Sequence, residues 1–165
     1  MGFLDWVNGM RRPTAALVPR PAADLYAALL AVNRPGANFA VRDGRPDGVD
    51  LVADLKFADQ DWYGYFAKLS PRTAFRIFLR LDESRAEVRG HEQECQVEQL
   101  AGVFYYARAE ALRSGQPLLE QKSWVFEHGL PHRARALSSH PVRDQLRTVV
   151  TGAGWTWRGV PEGGL

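Results

Sequence analysis

FRIFLRLDESRAEVRGHEQECQV, residues Phe75–Val97, decides the fold. Phe75, Ile77, Leu79 and Leu81 alternate with Arg76, Phe78 and Arg80, the two-residue period of a strand with one buried face. Asp82-Glu83-Ser84-Arg85 interrupts it with turn-forming residues. Alternation resumes with Ala86 and Val88 against Glu87 and Arg89, and after Gly90 a third segment runs to Val97. The stretch therefore predicts an antiparallel meander.

Working outward, Asp50–Ala58 alternates Leu51, Ala53, Leu55 and Phe57 with Val52, Asp54 and Lys56, a further strand. Phe39 and Val41 give a short one before the turn-rich Asp43–Gly48. That loop lacks the carboxylate spacing of a calcium site and reads as a turn. Val103–Ala109 and Gln121–Glu127 read as strands, His128–His132 as loop, Ala134–Leu137 as a short edge strand. Trp155-Thr156-Trp157-Arg158 reads as a closing strand. Helices are predicted at 22–33, with Pro21 at its start, Leu25, Leu29 and Val32 on one face and Asn33 at its end. A second lies at 140–151, with Ser139 as capping candidate and Val142, Leu146, Val149 and Val150 on one face.

The fold class expected is α+β: an antiparallel sheet of about six or seven strands, able to curl toward a half-barrel around Trp124, Phe126, Trp155 and Trp157. Residues 1–20 read as an amphipathic arm and linker, and 21–160 as one domain. With 165 residues, a chain buries roughly 70% of its unfolded surface without needing staples. The lone Cys95 excludes an intrachain disulfide framework. There is no apolar run of about 18 residues and no leader pattern, so a cytoplasmic location is expected. The formal charge of +2 is too small to argue for nucleic acid. Arginine outnumbers lysine, a composition that fits a GC-rich bacterial source.

Three stretches together resemble a group of small uncharacterised bacterial proteins with no assigned activity: Asp50–Lys56 leading to Trp62-Tyr63, the Phe75–Arg89 hairpin, and Ala153–Val160 after the last helix. The resemblance supports the placement of hairpin, helix and closing strand and implies no catalytic or binding residue.

Motifs for chemistry are sparse. Cys95, His128 and His132 invite a zinc reading, but Gly129 and Pro131 spoil a helical geometry between the histidines, and no further ligand is fixed. Cys95 sits among Glu92, Glu94 and Glu98, which oppose thiolate formation; His91 is the nearest group able to offset them. Asp50 with Asp54, and Asp59 with Asp61, are spaced to share a strand face. No nucleotide-binding glycine loop occurs. Arg133, Arg135, Arg143, Arg147 and Arg158 bias the C-terminal third toward basic character, yet acidic residues elsewhere argue against nucleic acid as a partner.

The expected function is therefore a non-enzymatic binding or interaction module, with no cofactor, no catalytic residue and no metal ligand assigned. Its partner would be an unknown protein or a membrane surface, engaged through Phe3, Leu4, Trp6 and Val7 of the arm. On that reading, deleting residues 2–12 removes association without lowering the melting temperature. The alternative is a small-molecule binding or catalytic protein with a pocket walled by Trp62, Tyr63, Tyr65 and Phe66, on a short helix at 62–69.

Overall fold

The apolar phase of Phe75–Leu81 decides which side of the sheet is buried: Phe75, Ile77 and Leu79 are all 2% exposed or less. The computed structural model describes residues 9–56, 64, 73–100, 103–111, 124–127, 130–133, 139–161 and 163–165. In chain order these form β1 (Met10–Arg11), α1 (Ala22–Leu30), β2 (Phe39–Asp43), β3 (Leu51–Leu55), β4 (Thr73–Asp82), β5 (Glu87–Leu100), β6 (Val103–Ala111), β7 (Trp124–Glu127), β8 (Leu130–Arg133), α2 (His140–Gly152) and β9 (Thr156–Gly159). Seven strands make one sheet in the order β1-β9-β5-β4-β3-β2, with β6 also paired to β5, while β7 and β8 form a separate hairpin. The fold is α+β.

The sheet is mixed, which corrects the antiparallel expectation. β9 enters parallel to β5, Glu87–Gly90 against Thr156–Gly159, and antiparallel to β1. The chain reaches that position by a long crossover that includes α2, as parallel pairing requires. Nor does the sheet curl into a half-barrel. β1 and β2 end the pairing order and do not meet, and the tryptophans at 155 and 157 are buried in the helix-side core.

The meander is also revised. The second and third segments are one strand, β5, paired with β4 from Asp82↔Glu87 to Thr73↔Gln96. Gly90 continues the strand because it is where Trp157 lies: a Cβ there would sit 2.3 Å from the indole Cζ2. A glycine inside a strand marks such a close approach. The turn itself is a 3-10 turn at Glu83–Arg85, closed by Ala86 at φ 47°.

Both helices pack on one sheet face. Leu25 and Leu29 of α1 and Leu146 and Val150 of α2 are fully buried, against Leu51, Ile77, Leu79, Val88 and Trp157. Each such side chain contributes on the order of 1.5–3 kcal/mol. The first helix is shorter than predicted, and Pro21 is its N-cap residue. Asn33 lies beyond its end: its side-chain amide accepts from Val41 N (2.7 Å) and donates to Val41 O (2.8 Å) on the outer edge of β2. Ser139 is the N-cap residue of α2 but makes no side-chain capping bond; its hydroxyl donates to Glu92 at 2.8 Å. After α2, Gly154 at φ +80° lets the chain turn where a Cβ would come 3.0 Å from the Val18 carbonyl.

The segment read as arm and linker is tied to this frame from residue 9 onward. Gly9 O accepts from Gly159 N and from Arg147 Nη2. Arg20 N donates to Ala153 O, and Trp155 Nε1 donates to Arg20 O at 2.7 Å. His128–His132 is not all loop: Leu130–Arg133 forms β8. Glu127↔Leu130 closes that hairpin, so the next pair, Phe126↔Pro131, is the non-hydrogen-bonded kind, where proline costs no ladder bond. The predicted edge strand at Ala134–Leu137 lies outside the described residues.

Candidate binding surface

Register places the polar positions of the alternating strands on the face opposite the helices. Arg42 faces Val52 across β2 and β3, and Asp54 faces Arg76. On β4 and β5, Phe78 faces His91, Arg80 faces Arg89, and Asp82 faces Glu87. Arg89 faces Arg158 on β9.

Three of these side chains and a neighbour, Asp47, close a ring. Asp54 accepts from Arg42 Nε at 2.6 Å and from Arg76 Nε at 2.7 Å. Asp47, on the 3-10 turn Arg45–Asp47, takes Arg42 Nη1 at 2.7 Å and Arg76 Nη2 at 3.5 Å. The two arginines from β2 and β4 thus meet over β3, and Val52 beneath them is fully buried. Arg76 also lies 5.1 Å from the Phe78 ring centroid, a cation–π contact. Burial pulls both guanidinium pKa values down, but hydrogen bonding to Asp54, and for Arg42 to Asp47, outweighs it and leaves both raised.

A second network occupies the hairpin end. Glu87, with a side chain only 7% exposed, bridges Arg89 Nε (3.3 Å) and Arg158 Nε (2.8 Å). Arg89 Nη2 reaches Asp82 at 3.1 Å. The Ser84 hydroxyl donates to Asp82, and that bond is the main reason its carboxyl stays below the ordinary value, with Arg85 and Arg89 adding to it. Arg80 donates to the Gly48 carbonyl.

On the same face His91, opposite Phe78 and between the networks, and Cys95, beyond Arg76, are both under 5% exposed. His91 stacks on Phe78 and donates from Nδ1 to Val160 O at 3.1 Å. Burial pushes the Cys95 thiol up to about 11, with Arg76 pulling the other way and Asp54 and Glu94 reinforcing it. The sequence reading had the direction, but carboxylates are the lesser cause. Four residues on one strand put His91 and Cys95 about 13 Å apart, so they do not share a ligand.

The helix face carries its own polar anchor. Glu92 accepts from Ser139 and from Arg143 Nη1 at 3.0 Å. Arg147 stacks on Trp157 at 5.6 Å and is lowered to about 10 by burial, then by Arg143. Arg143 and Arg147 therefore hold α2 to the sheet, whereas Arg158 is on the opposite face, and Arg133 is in β8. The basic C-terminal third forms no single patch among these residues.

The arm candidates Phe3, Leu4, Trp6 and Val7 and the pocket candidates Trp62, Tyr63, Tyr65 and Phe66 lie outside the described residues, as do Asp59, Asp61 and His128. Within the predicted 62–69 helix, Gly64 is helical and exposed. The Asp50–Asp54 pair is not assembled: Asp50 accepts from Leu81 N at 2.7 Å, and Asp54 belongs to the ring. Among the described residues no group of three or more metal-ligating side chains occurs, and no helix is long and apolar enough to cross a membrane. The ring was missed because Arg42, Asp54 and Arg76 occupy the polar positions of alternating strands. The available signal was that both strands flanking β3 carry arginine in phase with its aspartate.

No family model, no curated protein and no solved structure matches this chain.

Proposed function

We propose that the chain is a non-enzymatic binding module that engages a partner protein through the charged face of its sheet. The observation that supports this reading is the closed ring of Arg42, Asp54, Arg76 and Asp47. Arginine carries about 2 kcal/mol of side-chain conformational entropy. A guanidinium already forked between two carboxylates has given up much of that entropy before any partner arrives, which reduces the ordering cost of association. The networks sit on hydrogen-bonded strands, so the donors are held in register across the face.

The test is site-specific photocrosslinking in cells. A photoreactive residue at Arg80 on the charged face should give partner adducts, and one at Thr148 on the outer side of α2 should not. Adducts at Thr148 alone, or equally at both, overturn the reading. Adducts only from a probe at Trp6 would replace this face with the arm.

A further inference from the structure

Resting on the charged face as a binding surface, we infer that Arg80, Arg89 and Arg158 form a site for the terminal phosphate of a small phosphorylated molecule. These three are direct neighbours on adjacent strands, Arg80↔Arg89 and Arg89↔Arg158. With strands about 4.8 Å apart, the row spans roughly 10 Å. Like charges placed directly opposite one another destabilise a sheet. The local carboxylates do not cancel them. Arg80, Arg85, Arg89 and Arg158 face two acids, Asp82 and Glu87, since Glu83 is turned to Ala22 N on the other side. This corner alone carries an excess of two positive charges, the formal charge of the whole chain.

The donors left over point to the ligand. Glu87 holds Arg89 and Arg158 through Nε, which leaves both Nη groups of Arg158 and Nη1 of Arg89 without a partner among the described residues. Arg80 spends one Nη2 bond on the Gly48 carbonyl and is otherwise exposed to solvent. Arginine presents donors in a planar fork that matches phosphate oxygens. A phosphate monoester carries about −1.5 to −2 at neutral pH, which matches the local excess; a phosphodiester carries half that. Glu87 acts as a positioning residue, since one carboxylate holds the Nε edge of both guanidinium groups.

Calorimetric titration at low ionic strength, where surface charges are least screened, tests this with pyrophosphate and phenyl phosphate as probes. Saturable binding of both is expected, weakened about tenfold or more by the R80Q/R158Q pair, as loss of charge-assisted hydrogen bonds implies. R45Q removes one positive charge, from the exposed Asp43 pair, and should leave binding unchanged. Absence of saturation with the wild-type protein overturns the site. So does an R45Q effect as large as that of R80Q/R158Q, or oligothymidylate binding as tightly as pyrophosphate. A failed titration alongside photocrosslinks from Arg80 would remove the phosphate site and leave the binding face standing.

Discussion

Gly90 has no room for a methyl group: a Cβ would lie 2.3 Å from Trp157 Cζ2 and 2.7 Å from Cη2. Gly90→Ala should therefore lower stability by about 1–3 kcal/mol, the usual cost of overpacking, read as a lower urea midpoint at unchanged slope. Cys95 makes a prediction of a different kind. Its thiol rises from 9.0 in the ordinary case to about 11 in the fold. Between those values the unfolded chain loses the proton first, so the folded state is progressively disfavoured as pH rises from 9.0 toward about 11. Cys95→Ala should remove that component, so the wild-type midpoint should fall further than the variant's across this window. Equal falls would mean that the thiol is not held protonated by burial. Neither environment is visible at the residue's own place in the chain. Gly90 is flanked by arginine and histidine and reads as a break, because the ring that requires it is supplied by Trp157, far along the sequence.

At the scale of elements, an edge strand exposes unpaired backbone groups that invite aggregation. β2 covers part of its edge with Asn33, whose amide reproduces at Val41 the two hydrogen bonds a neighbouring strand would make. Asn33→Ala should cost about 1–3 kcal/mol, since two backbone groups lose their partner, and should raise light scattering at high concentration. A stability loss without added scattering would limit Asn33 to a local role. Element type was legible wherever a buried face imposed its period: β3, β4, α1 and α2 follow from spacing alone. Partnership was less legible. Pro131 and Gly129 disguise β8, since the hairpin register that tolerates the proline is a property of two strands together. The ion-pair networks escape a reading along the chain for the same reason, because Arg42, Asp54 and Arg76 meet only once three strands are aligned.

For the whole molecule, residues near both ends of the chain complete one side of the sheet. Met10 and Arg11 pair with β9, and Gly9 bonds to α2 through Arg147. Deleting residues 2–12 should therefore lower the melting temperature, contrary to what the amphipathic arm alone suggests. An unchanged transition by scanning calorimetry would show that β1 adds nothing to the sheet. The α+β class was readable from alternation. The parallel placement of β9 was not, because Thr156–Gly159 is too short and too ordinary to announce its neighbours.

That placement has a consequence for how the chain is made. β9 lies between β1 and β5, and its Trp157 covers Gly90. A ribosome releases these residues long after β1 and the β4–β5 hairpin have emerged. Until then the Glu87–Gly90 edge has no strand beside it, α2 lacks the Trp157 part of its seat, and β1 has no strand to join. The nascent polypeptide must carry an open, half-apolar sheet until β9 arrives to shut it. Contacts of such long sequence separation are slow to form, and partly built sheets with free edges are the species chaperones bind.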